Sequence, residues 1–414
     1  LAWGPSWQDP PAPFNVEAAL ERTREWWAAW ADRVQSAGTH AALVTRSLMV
    51  LRALTHSETG GIVAAATTSL PEAFGGSRNW DYRYVWLRDA ALTLSAYIDH
   101  GYLDAAHRWR NWLLRAIAGD PADVQIMYGI AGERDLPERE ISGLPGYGGA
   151  APVRIGNGAV DQYQADVIGE VMVALEAARD AGVEETTFSW ALQRALLDQL
   201  AGEVDRPDLG IWEMRGDPHF FTHSRAMVWA AFDRGIRAVE EGGLDGDVET
   251  WRTLRDRVRA EIDARGVHAG GWFTQHFDTD EVDASLLVLP QVGFCAYDDP
   301  RMLATVARME ETLMPDGWLL RYRTTGVDGL TGDEHPFLAC SFWLVGQYAH
   351  SGRRDEALAL MQRLTAVAND LGLLSEEYDP TTGRQAGNTP QALSHLALVG
   401  AADALDAMAP TRED

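Results

Sequence analysis

The chain has 414 residues, and 61 acidic side chains outnumber 35 basic ones to give a net charge of −26, which argues against nucleic acid and anionic membrane surfaces as partners. Every basic residue is arginine. Without a lysine there is no Schiff-base chemistry, no pyridoxal-phosphate enzyme and no P-loop.

The opening runs Leu-Ala-Trp-Gly-Pro-Ser-Trp, followed by Pro10, Pro11 and Pro13. It reads as the end of something, so the chain is expected to be a fragment or one domain of a longer protein. No secretory signal opens it and no apolar run reaches membrane-spanning length, so the cytoplasm is the expected location and no membrane contact is expected. Cys295 and Cys340 are too few for a disulfide framework and read as buried free thiols. Apolar content of 46% permits a sizeable core, and 16 tryptophans are well above ordinary usage, as in aromatic-lined clefts.

Helical periodicity dominates the rest of the chain. Helices are predicted over 16–35, 39–56, 89–100, 103–118, 160–181, 184–203, 222–241, 246–264, 283–294, 299–313, 334–351, 353–370 and 389–408. Val44, Leu48 and Leu51 mark one apolar stripe, with Thr39 as its cap. Gly101 and Gly182 stand where glycine C-caps belong, Thr222 reads as a cap, and Thr389-Pro390 as a cap followed by a first-turn proline. Short turns near 36–38, 101–102, 182–183, 242–245, 295–298 and 352 alternate with long connections over 57–88, 119–159, 204–221, 265–282, 314–333 and 371–388. Helices joined by short turns are antiparallel neighbours, so all the long connections emerge at one end. Six hairpins of this kind make an all-α (α/α)6 toroid with its active face built from the long loops. A toroid needs twelve helices, so one of the thirteen is surplus, with 16–35 the candidate. An open solenoid is the alternative, although no repeated motif supports it.

The long loops carry the chemistry. In residues 79–90, Trp80, Tyr82, Tyr84 and Trp86 alternate with Asp81, Arg83, Val85 and Leu87, before Arg88 and Asp89. In extended backbone the four rings share a face, which suits a sugar: its C–H faces stack on rings, and its hydroxyls bond carboxylate and guanidinium. The plainer reading is a half-buried ribbon packed on a helical body. The second loop presents Tyr147, Arg154 and Asn157. The third places Glu213 directly after Trp212, where burial beside an indole raises a carboxyl pKa as a general acid requires. His219 and His223 have a metal-ligand spacing but no third ligand nearby, so no metal is expected. The fifth loop carries Trp318, Arg321-Tyr322-Arg323 and Gly332-Asp-Glu-His-Pro336. In the sixth, Ser375-Glu-Glu-Tyr-Asp379, adjacent Glu376 and Glu377 point opposite ways, so one of them faces the site. Two carboxylates across an aromatic cleft are what glycoside hydrolysis uses.

Trp86-Leu-Arg88-Asp89, Trp212-Glu213 continuing to Gly216 and Phe220-Phe221-Thr222, Arg321-Tyr322, and Ser375-Glu-Glu-Tyr-Asp379 occur in an order and spacing that resembles the catalytic domain of glycoside hydrolase family 15, the family of glucoamylases, glucodextranases and some bacterial and archaeal trehalases. The resemblance implies an (α/α)6 toroid, with Glu213 as general acid and Glu376 as general base, Glu377 being the fallback. It implies that Arg88 and Asp89 grip the non-reducing glucose, that Arg321 lines the same subsite, and that Tyr82 and Trp86 are its aromatic walls. Arg154 and Trp212 complete the expected binding set. Met214 stands where fungal glucoamylases carry a second glutamate. The N-terminal β-sandwich of bacterial members is missing, so residues 1–38 are expected to be a linker and helix left from it, and 39–414 the catalytic toroid. The expected activity is inverting, exo-acting hydrolysis of an α-glucoside, trehalose or an α-glucan, releasing β-glucose with no cofactor and no metal. A phosphorylase and a non-catalytic carbohydrate-binding fragment are the alternatives. Trehalose, maltose and dextran are not told apart by these motifs, and neither is the oligomeric state.

Overall fold

Helix composition sorts the chain into an inner and an outer layer. Leu338–His350 (α10) and Ala392–Ala407 (α12) are apolar nearly all round and almost wholly buried, whereas Val248–Arg265 (α8) buries only Trp251, Val258 and Ile262. A helix with apolar residues on every side belongs inside, and one with a narrow apolar stripe belongs at the surface. The computed structural model, which describes residues 7, 9, 15–36, 38–119, 121–324 and 328–408, follows that rule. Its other helices are Val16–Ala31 (α1), Ala41–Leu54 (α2), Leu87–Asp99 (α3), Leu103–Ala116 (α4), Val167–Asp180 (α5), Thr187–Glu203 (α6), Thr222–Glu240 (α7), Pro300–Thr312 (α9) and Arg354–Thr365 (α11).

Helices α3, α5 and α7, a short 3-10 turn Ala284–Val288, α10 and α12 touch in that order, and α12 returns to α3. They form a closed inner ring. Helices α4, α6, α8, α9, α11 and α2 back these six elements in turn, giving the (α/α)6 toroid. Five of the pairs are sequential hairpins. The sixth joins α2 to α12, from opposite ends of the fold, so α1 is the surplus element. It caps at Asn15, whose side chain accepts from the Ala18 N–H, and it lies on α2. Its Trp30 stacks on Tyr102, with ring centroids 4.3 Å apart.

Several predicted boundaries move, each for a local reason. The helix expected over 283–294 is only the 3-10 turn, because Pro290 lacks the N–H an α-helix needs there and its ring would clash with the preceding turn. The helix expected from 334 starts at Leu338. Residues 335–338 are held instead as an antiparallel bridge, with the Tyr378 N–H on the Pro336 carbonyl and the Leu338 N–H on that of Glu376. The helix expected from 160 begins at Val167, because Tyr163 and Ala165 bond the 208–209 segment. The helix expected from 389 begins at Ala392. Thr389 and Asn388 bond Thr67 and the Trp80 carbonyl, so Pro390 is not in the first turn. Neither Thr39 nor Thr222 caps: His40 and Phe221 hold those positions without a side-chain bond. Gly101 and Gly182 do follow α3 and α5, with φ of 90° and 83°. Pro10, Pro11 and Pro13 of the expected linker lie outside the described residues.

Candidate active site

The connections that enter the inner helices gather over their N-terminal ends and enclose a pocket of about 690 Å³ that is partly open to solvent. Five of the six long connections contribute walls, 55–86, 117–166, 204–221, 313–337 and 366–391, and α3 supplies Arg88 and Asp89 from its first turn.

The aromatic segment is extended against residues 64–69: the N–H groups of Ala64, Ala65 and Ser69 donate to the carbonyls of Tyr84, Tyr82 and Trp80. Alternation then places Trp80, Tyr82 and Trp86 on the pocket wall. Asp81 faces the other way, taking the Arg83 guanidinium at 2.7 and 2.8 Å. Tyr84 does not reach the wall; its hydroxyl accepts from the Gly156 N–H. Only Val85–Trp86 (β1) forms a true ladder, with Met127–Tyr128 (β2).

Tyr82 and Trp86 each hand a polar hydrogen to a different carboxylate. Trp86 Nε1–H donates to Glu213 Oε1 at 2.6 Å, and the Tyr82 hydroxyl donates to Glu376 Oε1 at 2.7 Å. The two rings meet edge to face, with centroids 5.6 Å apart, so the aromatic pair separates the two acids.

Glu213 has a φ of 58°, in the left-handed region that non-glycine residues seldom adopt. Over-determined surroundings hold it there. The Gln162 side-chain amide donates to the carbonyls of Glu213 and Met214, and the Arg215 N–H donates to the Asp328 carbonyl. Met214 is buried beside Phe221 and Tyr322 and anchors the turn from below. Desolvation raises the Glu213 pKa, against the opposing pull of Arg88 and the Trp86 bond.

Glu376 is fully buried and sits just before the hairpin of Glu377–Asp379 (β5) with Arg384–Ala386 (β6). Its Oε2 has no hydrogen-bond partner among the described residues. Gly387 passes so close that a Cβ there would lie 2.7 Å from that oxygen, and only glycine leaves room. Glu377 points away from the pocket, as adjacency in extended backbone requires: its Oε2 accepts from the His335 N–H at 2.8 Å and its Oε1 from Arg321 at 3.3 Å.

Arg321 is the hub. Its Nη2 lies 2.7 Å from Glu334, 3.1 Å from Glu72 and 3.3 Å from Glu377, and its Nη1 lies 3.9 Å from Glu376. Arg78, also buried, holds Asp328 at 2.6 Å and Glu334 at 3.3 Å. Five carboxyl groups thus share two guanidinium charges. Burial, and then the neighbouring Glu72, raise the Glu376 pKa to about 8. Oxygens of Glu72, Glu376 and Glu377 come within 4.8 Å of one another, the spacing of a cation site. The guanidinium of Arg321 already supplies positive charge to that group. Because Glu72 raises the Glu376 pKa, the neutral variant Glu72→Gln is expected to lower it. The acidic limb of the kcat/KM profile should then move to lower pH, and an unmoved limb would separate Glu72 from Glu376.

Arg88 donates from Nε to Asp89 at 2.9 Å and from Nη1 to the Ile211 carbonyl at 2.9 Å, which ties α3 to the Glu213 turn. Of the residues expected at the site, Tyr82, Trp86, Arg88, Asp89, Trp212, Glu213, Arg321 and Glu376 all line the pocket. Arg154 does not. Its guanidinium packs over the Trp80 ring at 4.7 Å and bonds the Ser77 and Asn79 carbonyls, so it supports the wall from outside. Tyr147 is exposed, where its hydroxyl accepts from Arg384. His219 stacks on His276, while His223 is buried in the first turn of α7. The sequence reading missed Glu72 and Arg78 altogether, since Pro-Glu-Ala and Ser-Arg in a loop look like solvated surface.

A family model described as "Glycosyl hydrolases family 15" matches residues 38–403. The chain is 39% identical over 405 residues to a trehalase of Mycolicibacterium smegmatis, covering 96% of this chain and 60% of that protein. It is 38% identical over 405 residues to a trehalase of Mycobacterium tuberculosis, covering 96% and 59%. A trehalase of Thermoplasma acidophilum is 37% identical over 398 residues, covering 96% and 68%. The chain therefore spans about 60% of the length of the mycobacterial relatives. Among solved structures, a bacterial glucoamylase complexed with acarbose superposes with a TM-score of 0.71 at 16% identity, over 93% of this chain and 58% of that one. A wild-type glycosidase gives a TM-score of 0.71 at 19% identity, over 89% and 99%. Both share the fold.

Proposed function

We propose, on the premise that the chain belongs to family 15 of the glycosyl hydrolases, that its pocket hydrolyses an α-glucoside from the non-reducing end, with inversion. One observation carries this reading: the single Tyr82–Trp86 pair binds one carboxylate at each end, Glu376 through the phenol and Glu213 through the indole. Two carboxyl groups held apart on an aromatic wall leave room between them for a sugar and a water. Glu213, whose pKa is raised by burial, is the general acid and delivers its proton to the departing glycosidic oxygen. Glu376 is the general base. Its carboxylate, oriented by the Tyr82 hydroxyl on Oε1, takes the proton from the attacking water. Arg88 and Asp89, buried at the deep end, grip the ring hydroxyls. The chain's similarity to trehalases makes trehalose the first substrate to test, ahead of maltose and soluble starch.

Inversion gives a direct test. Attack from the face opposite the departing sugar converts an α-glucoside to β-glucose in one displacement. Proton NMR in the first minutes should show the β anomeric signal before mutarotation. With trehalose, the hydrolysed unit should appear as β-glucose and the leaving unit as α-glucose in equal amounts. Production of α-glucose alone would overturn both the mechanism and the role of Glu376.

A further inference from the structure

The pocket has a buried end and an exposed end, and the hydrolase reading assigns only the first. Arg88, Asp89, Arg321 and Glu376 are all less than a tenth exposed, while Arg215 and Leu330 lie at the rim and Trp80 is half-buried. Glu213 stands between the two ends. A general acid protonates the oxygen that leaves, so the departing sugar occupies the side of Glu213 away from Arg88, which is the rim.

The turn that carries Glu213 places Arg215 there. With Glu213 in left-handed backbone and Met214 turned down into the small cluster with Phe221 and Tyr322, the residue two after the acid returns to the pocket wall. Its guanidinium lies over the Trp80 ring, 4.5 Å from the centroid. It also makes a two-pronged pair with Glu138 at 3.0 and 2.7 Å. A further Glu138 bond from the Gly158 N–H fixes the carboxylate. Beside it, Asn157 uses its side-chain oxygen to cap the turn at Ala159, and its Nδ2 makes no hydrogen bond among the described residues while the side chain lines the pocket. With Arg154 behind the indole and Arg215 in front of it, the Trp80 ring serves as the seat of the guanidinium, and a fixed guanidinium beside a free amide at one rim matches the hydroxyls of a polyhydroxylated ring.

The geometry points to Arg215, paired with Glu138 and seated on Trp80, as the residue that binds the leaving sugar and sets which glycoside is cut. This rests on the hydrolase reading above.

The test separates the two sugars by removing one. α-Glucosyl fluoride carries the same glucose but a leaving group with no hydroxyls. Arg215→Met and Glu138→Gln would be assayed on the fluoride and on trehalose, each variant at its own pH optimum, with thermal melts to verify folding. Arg215→Met is expected to lower kcat/KM on trehalose by about 10- to 100-fold, the range for a lost charge-assisted hydrogen bond. The fluoride reaction should change by less than about threefold. Glu138→Gln, which keeps the shape and the Gly158 bond, should show the same selectivity at smaller size. If both substrates fall in proportion, or neither falls, the assignment of Arg215 is wrong although the hydrolase reading stands. If the unmodified chain turns over neither substrate, the hydrolase reading fails and the assignment goes with it.

Discussion

Glu213→Gln is expected to lower kcat on an α-linked disaccharide by about 10²- to 10⁴-fold, the ordinary contribution of a positioned general acid. Glutamine has the size and neutrality of a protonated glutamic acid, and its amide oxygen can still accept the Trp86 N–H that Glu213 Oε1 now accepts at 2.6 Å. The left-handed backbone at this position and its ties to Gln162 and Asp328 involve main-chain atoms and survive the change. What is lost is a transferable proton. Substrate affinity, measured by titration calorimetry on the inactive variant, should stay within a few-fold of the value for the unmodified chain. Retention of more than a tenth of kcat would remove Glu213 from the reaction.

The largest effect on stability is expected from Arg321→Gln. Removing one partner of a buried charge network typically costs about 3–5 kcal/mol, because the opposite charges stay behind unpaired. Here Glu334, Glu72, Glu377 and Glu376 all lie within 3.9 Å of the guanidinium. The sign with pH is set by the direction of the shifts. Burial already raises the pKa values of Glu72, Glu376 and Glu377 above the ordinary 4.5, and Arg321 opposes the rise in each. A carboxyl whose folded pKa is raised contributes stability below its unfolded pKa and loses it as pH climbs through the folded one, about 8 for Glu376. Without Arg321 the pKa values climb further, so the deficit should be small near pH 5 and large near pH 8. Urea midpoints at the two pH values would show it, and an equal deficit at both would mean that the network carries no net charge penalty. The acidic limb of the activity profile should also move to higher pH, opposite to the shift expected for Glu72→Gln.

The sequence revealed features that arise from local periodicity. The two-residue alternation of Trp80, Tyr82 and Trp86 is strong because one face meets the pocket and the other meets the Asp81–Arg83 pair. Alternating short and long connections disclosed which end of the toroid holds the pocket. Contacts between distant segments left no comparable trace. Glu72 and Arg78 become site residues only because 72–80 folds against 321–334, and a lone acid or base in a loop has no period to betray it. Arg154 misled because its residue type matched the chemistry while its side chain faced the back of Trp80. The pairing of α2 with α12 was hidden because turn length reports only on neighbours in sequence.

That last pairing governs the order in which the protein can be assembled during synthesis. Helix α2 leaves the ribosome before every inner helix of the toroid, whereas the inner helix it backs, α12, follows all the others. Until then α2 and α3 each lack their neighbour on one side, and apolar surface at the seam waits uncovered. The loop carrying Glu376 docks on the same late segment through the Gln391 N–H and the Leu374 carbonyl. Contacts of such long sequence separation are slow to form and leave the incomplete chain prone to association. A nascent chain therefore acquires the pocket wall at Glu376 and its closed ring in one late event.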